Sequence, residues 1–224
     1  MTFSIAARCP RSGMFGLAVS SSSPAVAARC AYARAGVGAA GSQNITDPSL
    51  GPKLLDLMAI GLSAPDAVAA LAAATPMIAY RQLIAVDSSG RTGAFSGERT
   101  LGQHTAAHGE GAVAAGNMLK STDVPLRMIA AFESSAGALG GRLIAAMRAG
   151  LDAGGEEGPV HSAGLILVRN VAWPIADLRV DWSDDDPIQS LEQLWRLYEP
   201  QLEAYVTRAV DPTAAPSYGV PGDR

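Results

Sequence analysis

Residues 2–8 read TFSIAAR and residues 14–22 read MFGLAVSSS, and these two stretches decide the fold. Apolar residues fall on alternate positions, Phe3 and Ile5 in the first and Phe15, Leu17 and Val19 in the second. That is the period of a strand whose two faces meet different surroundings. Between them Cys9-Pro10-Arg11-Ser12-Gly13 supplies the Pro and Gly of a turn, so the reading is a hairpin at the start of the chain. A third apolar stretch, residues 35–41, holds so many Gly and Ala that its backbone must lie close against a neighbour, and it leads into Ser42-Gln43-Asn44.

Outward from the hairpin the period changes to that of helices. Asp47-Pro48 reads as a helix start, with Leu50, Leu54, Leu55 and Met58 on one face and Gly61 as the stop. Ser63-Ala64-Pro65-Asp66 reads as a capping box ahead of the apolar run at residues 68–71. Strands return at 81–87, 91–97 and 111–119. Helices return at about 123–135 and 139–152, the second closed by Gly154-Gly155. Two more strands, 161–169 and 175–182, precede a helix that starts near Asp186-Pro187 and carries Leu191, Leu194, Trp195 and Tyr198. Strands and helices therefore come in blocks rather than in strict alternation, which predicts an α+β fold with largely antiparallel sheets and helices packed outside. With 224 residues and no internal linker, residues 1–210 read as one domain, followed by a mobile Pro- and Gly-containing tail at 211–224.

Composition removes several classes of function. A net charge of −4 and scattered Lys and Arg give no stripe for tracking phosphates, so nucleic acid is not an expected partner. No apolar run approaches the roughly 18 residues that span a bilayer, and the N-terminus lacks the charged and apolar regions of a secretory signal. With only two cysteines, Cys9 and Cys30, no disulfide framework is available, and a cytoplasmic protein is expected.

Four short patterns offer chemistry and lose to plainer readings. Gly36 to Gly41 matches G-x-G-x-x-G, but Asp47-Pro48 follows where a helix should open, so close backbone packing is preferred to a dinucleotide site. His104 and His108 have metal-ligand spacing, yet Gly102 and Gly109 bracket them and favour a surface loop. Asp184-Asp185-Asp186 precedes a helix, where carboxylates suit the positive end of the dipole. Met58, Met77, Met118, Met128 and Met147 mostly fall at core spacing. No metal and no cofactor are expected.

The stretches TFSIAAR, GLAVSS, ARAGVGA, DPSLGPKLLDLM, RQLIAVD, GNML and DLRVD, in this order from Thr2 to about Tyr198, together resemble the bacterial domain of unknown function 1028 family. That family is similar to the N-terminal-nucleophile hydrolases, whose relatives include the proteasome β subunits. The resemblance implies a four-layer αββα sandwich, a homo-oligomer that is most simply a dimer, and a small-molecule substrate. It also implies a role for Thr2. Loss of Met1 would leave Thr2 with a free α-amine, titrating at about 7.7–8.0, that takes the hydroxyl proton without a histidine. Otherwise Thr2 is the first residue of an edge strand.

Relatives carry an aspartate after the second strand and a lysine further on, whereas here that strand ends in Ser20-Ser21-Ser22-Ser23. The turn expected at Gly41-Ser42-Gln43 would supply backbone donors to an oxyanion, and Ser20, Ser21, Ser42, Gln43 and Asn117 are the expected pocket groups. Arg81 and Gln82 are candidates for a substrate carboxylate. The leading expectation is thus a hydrolase of a small amide-like bond (amide, γ-glutamyl, ureido or N-acyl). A non-catalytic small-molecule-binding or scaffolding protein is the alternative, and a ring-forming peptidase ranks last.

Overall fold

The structure is a computed structural model and describes residues 1–222. Strand β1 (Thr2–Arg8) pairs antiparallel with β2 (Phe15–Ser21) as the alternation predicts. Its other edge is taken by β8 (Ala112–Asn117), so β1 is an interior strand and Thr2 does not begin a sheet edge. With β7 (Thr105–Gly109), β9 (Ser162–Val168) and β10 (Ala176–Val180), the first sheet has the order β10-β9-β2-β1-β8-β7. The second has the order β3-β4-β5-β6, from β3 (Ala31–Arg34), β4 (Gly38–Asn44), β5 (Arg81–Asp87) and β6 (Thr92–Ser96). Every pairing in both is antiparallel.

Three apolar cores separate the layers, and strand parity assigns residues to them. Ala6, Leu17, Val19, Ile84, Val86, Val113 and Ala115 meet between the two sheets. On the outer face of the first sheet, Phe3, Ile5 and Ala7 pack against α4 (Val124–Ser134), α5 (Leu139–Asp152) and α6 (Pro187–Tyr198) through Met128, Phe132, Leu143, Met147, Leu191 and Trp195. On the outer face of the second, Leu83 and Ala85 pack against α2 (Leu50–Ala59) and α3 (Ala64–Ala74). Leu50, Leu54, Leu55 and Met58 form the buried stripe of α2, while Lys53 and Asp56 face water, the spacing that lets one side of a helix close a core. The mixed α+β class with two antiparallel sheets is thereby established, with helices covering both outer faces.

Several local expectations change. Residues 35–41 are not one strand: Ala35-Gly36-Val37 is the turn between β3 and β4, with Gly36 at φ +72°, and Ser42-Gln43 lie inside β4 rather than in a turn. The glycines of the G-x-G-x-x-G match serve pairing, since a Cβ on Gly38 would fall 2.2 Å from the Val86 carbonyl oxygen. The first long helix starts at Leu50, after a turn in which Asp47 accepts the Ser49 N–H at 2.9 Å, so Asp47 is not its cap. Ser63 does cap α3, accepting from the Asp66 N–H at 3.2 Å, and Asp186 caps α6, accepting from the Gln189 N–H at 2.8 Å. Residues 104–108 are not simply a loop, because His108 lies in β7. The short helix α1 (Ala27–Cys30) and strand β3 lack a readable period in the sequence, whereas helix α7 (Leu202–Val210), an addition to the expected elements, carries Leu202, Tyr205, Val206 and Ala209 at helical spacing.

Candidate active site

The inter-sheet face becomes polar at one end. β1 begins there with Thr2 and Ser4, β2 ends there with Ser21, β6 with Ser96 and β8 with Asn117, while Gln43 is the next-to-last residue of β4 and Gln82 the second of β5. Antiparallel register brings these strand ends together: Thr2 stands opposite Asn117, Gln43 opposite Gln82, and Gln82 opposite Ser96. Each residue is two or four positions from an apolar residue of the inter-sheet core, so parity turns its side chain to the same interior.

Most of these groups satisfy one another. The Ser4 hydroxyl donates to Gln43 Oε1 at 2.7 Å, and Gln43 Nε2 donates to Gln82 Oε1 at 2.8 Å. Asn117 Nδ2 donates to that same oxygen at 3.1 Å, while Gln82 Nε2 donates to Ser96 Oγ at 3.0 Å and to the Gly116 carbonyl at 3.1 Å. Asn117 Oδ1 is buried with no partner among the described residues.

Thr2 is 5% exposed, and its hydroxyl donates to the Met1 carbonyl oxygen. Ser21 Oγ donates to the same oxygen at 2.5 Å and stands 3.4 Å from Thr2 Oγ1. Ser21 is itself steadied by the Ser23 N–H at 3.1 Å and lies 2.8 Å from Ser23 Oγ, which Arg29 Nη2 engages at 2.7 Å. The carbonyl ahead of Thr2 is therefore held by two hydroxyls, one of them that of Thr2.

A residue that the sequence does not advertise completes this end. Glu156 bridges to Leu119 just beyond the start of β1 and is 3% exposed. Its Oε2 accepts from the Ser22 N–H at 3.1 Å, and its Oε1 is buried without a partner among the described residues. Burial pushes its pKa up to about 7, against the opposing influence of the Met1 ammonium and of Ser22. The same ammonium also favours the thiolate of Cys30, whose pKa burial nevertheless raises. In the sequence Glu156 stands beside Glu157 after a Gly pair, a context that reads as a solvated loop.

Of the other expected site residues, Ser20 and Ser42 turn the opposite way from Ser21 and Gln43. Ser20 Oγ donates to the Ser162 carbonyl at 2.9 Å, and Ser42 Oγ donates to the Asp47 carbonyl at 2.9 Å. Arg81 donates to the Ile45 carbonyl, and its Nε is buried without a partner among the described residues. The backbone turn expected at Gly41-Ser42-Gln43 is absent, so the hydroxyl of Ser21 is the donor that the geometry offers to a carbonyl oxygen near Thr2.

The histidines take structural partners: His108 Nδ1 lies 2.7 Å from Thr92 Oγ1, and His161 stacks on Trp182 with ring centroids 4.2 Å apart. Among the described residues no three His, Cys, Asp or Glu gather as metal ligands, and no helix is long and apolar enough to cross a membrane. A cleft of about 500 Å³ lies at the far end of β1, lined by Arg8, Ser89, Glu110, Glu133 and Arg142, remote from Thr2.

The profile of a family of unknown function, DUF1028, matches residues 2–191. The crystal structure of protein SPO2555 from Silicibacter pomeroyi, of the same family, is similar at 31% identity and a TM-score of 0.82, covering 88% of each chain. Anbu (ancestral beta-subunit) from Yersinia bercovieri aligns over 91% of this chain and 97% of its own at 10% identity, with a TM-score of 0.37. Comparison with curated proteins gives no match.

Proposed function

This chain belongs to the DUF1028 family, and from that premise we propose that it is a hydrolase of a small amide-like bond, built as an N-terminal-nucleophile fold with Thr2 as the nucleophile. The observation that carries the reading is the shared carbonyl: the oxygen of the residue ahead of Thr2 accepts hydrogen bonds from both Thr2 Oγ1 and Ser21 Oγ. An acyl carbonyl is already seated there against a hydroxyl donor and a candidate nucleophile.

With the Met1–Thr2 bond cut, the chemistry needs no histidine or metal. The neutral α-amine of Thr2 takes the proton from Oγ1 as that oxygen forms a bond to the substrate carbonyl carbon. Charge then develops on the carbonyl oxygen, where the Ser21 hydroxyl donates. The tetrahedral intermediate collapses, the carbon–nitrogen bond breaks, and the ammonium of Thr2 returns the proton to the departing amine. Water, deprotonated by the same amine, then hydrolyses the ester on Oγ1. The polar groups behind Thr2 act as a rigid wall.

The test is a panel of amide, γ-glutamyl, ureido and N-acyl substrates turned over by the wild type and by Thr2→Ala. The reading predicts a hit that Thr2→Ala does not hydrolyse. Equal turnover by both would put the nucleophile elsewhere.

The second reading, a small-molecule-binding or scaffolding protein without catalysis, draws support from one observation. The two lysines of the chain, Lys53 and Lys120, have exposed side chains, so neither is buried beside Thr2 to tune its amine. A small molecule that binds without turnover is its expected result.

A further inference from the structure

The Ser21 hydroxyl stands at the end of a series of hydrogen bonds, and counting protons fixes the direction of each. Ser21 Oγ carries one proton. It lies 2.5 Å from the Met1 carbonyl oxygen, which only accepts, so the proton goes there. Ser21 therefore accepts from Ser23 Oγ, 2.8 Å away, and from the Ser23 N–H at 3.1 Å, which fills both of its lone pairs. Ser23 Oγ in turn accepts from Arg29 Nη2 at 2.7 Å. A cation thus heads the series, and each hydroxyl accepts on one side and donates onward on the other.

The surroundings hold this series in place. Arg29 Nη1 donates to the Pro24 carbonyl at 2.5 Å and to the Ala25 carbonyl at 3.1 Å, so the guanidinium is fixed before any ligand arrives. The buried Ser162 hydroxyl donates to the Ser23 carbonyl at 2.6 Å and pins the turn that carries Ser23. Among the described residues no carboxylate forms an ion pair with Arg29, so its charge is not neutralised by a partner. Hydrogen bonds that run in one direction polarise one another, and a charged donor at the head strengthens those that follow.

Resting on the reading of Thr2 as nucleophile, we infer that Arg29 is a positioning residue of the reaction, which acts through Ser23 to orient and polarise the Ser21 hydroxyl toward the carbonyl oxygen. A guanidinium keeps its protons, so Arg29 does not serve Thr2 as an acid or base. Its contribution is charge, delivered where the oxyanion develops. Because that charge is small in the bound substrate and large in the transition state, the effect falls on kcat rather than on KM.

Two measurements test this, and only one needs turnover. In protein that retains Met1, the Met1 carbonyl carbon is read through the Thr2 amide in an HNCO spectrum, where a weaker hydrogen bond to its oxygen moves the resonance upfield. Ser23→Ala and Arg29→Met should each move it upfield, as Ser21→Ala does, and Ser23→Ala should add nothing in a Ser21→Ala background. In protein that begins at Thr2, each of the two variants should lower kcat on an amide hit by about 10-fold with KM little changed, the gap between a charge-assisted and a neutral hydrogen bond. The double variant should fall no further than either single one. Ser23→Ala leaves the Ser23 N–H and the bonds of Arg29 to Pro24 and Ala25 in place, so it cuts the series without unpinning the turn.

A Met1 carbonyl resonance unmoved by Ser23→Ala, or losses in kcat that multiply in the double variant, overturns the role of Arg29 while leaving Thr2 as nucleophile. Arg29 then only braces the turn. An upfield shift in Ser23→Ala, with no amide hydrolysed by the wild type, upholds the polarised donor and removes the hydrolase.

Discussion

At Thr2 a single hydroxyl has two neighbours that define its possible chemistry, the carbonyl ahead of it and Ser21 Oγ at 3.4 Å. Since Ser21 donates to that carbonyl, Ser21→Ala in Met1-free protein should lower kcat by about 100-fold with KM little changed, the usual cost of one oxyanion donor. Steady-state kinetics on any amide hit checks this, and an unchanged kcat places the donor elsewhere. Behind Thr2, Gln82 accepts from both Gln43 and Asn117. Gln82→Leu should therefore destabilise the chain by roughly 2–3 kcal/mol, read from urea unfolding, because it strands a buried amide of Asn117. At this scale part of the site was legible. Thr2, Ser21, Gln43, Gln82 and Asn117 converge, and strand parity alone says that neighbours such as Ser20 and Ser42 must face away from them. Glu156 was not legible, because its role comes from a bridge to Leu119 and a contact with Ser22 that no local pattern encodes.

At the scale of elements, the strands and helices with clear periods were readable: β1, β2, α2 and α5 carry their apolar residues at spacings of two or of three and four. The misses have physical reasons. Strand β7, Thr-Ala-Ala-His-Gly, and strand β3, Ala-Tyr-Ala-Arg, are too short and too poor in large apolar residues to show a period, and only pairing with β8 and β4 makes them strands. The contact of α2 with β3 offers a sharp test. A Cβ on Gly51 would fall 2.0 Å from the Tyr32 ring, so the helix lies on the aromatic face with no room for a methyl group. Gly51→Ala gains about 1 kcal/mol of helix propensity but meets an overpacking cost of about 1–3 kcal/mol, so it should destabilise the wild type. In a Tyr32→Ala background the same change should stabilise. A thermal-unfolding cycle of the four proteins measures that reversal, and the same sign in both backgrounds would contradict the packing described.

For the whole molecule, the buried carboxyl of Glu156 links stability to pH. Its pKa is about 7 in the fold, against an ordinary value near 4.5 when the chain is unfolded. Between those values the folded protein holds a proton that the unfolded chain has released, so this group's contribution to stability is full below pH 4.5. It is lost as pH rises to about 7 and is flat beyond. Glu156→Gln removes this dependence. Its stability relative to wild type should therefore rise by roughly 3 kcal/mol between pH 4.5 and 7.5 in chemical denaturation, and a constant difference would show that the carboxyl titrates normally. The antiparallel block architecture was legible because strands and helices come in blocks rather than in strict alternation, which leaves few parallel crossovers to make. The meeting of six strand ends at one pole of the sandwich was not, since it depends on how the two sheets face each other. What that pole does turns on its first residue. The most direct measurement is the intact mass and N-terminal peptide mass of protein that hydrolyses an amide. The account predicts a chain lacking Met1 and beginning at Thr2, whereas active protein with Met1 still attached would contradict it.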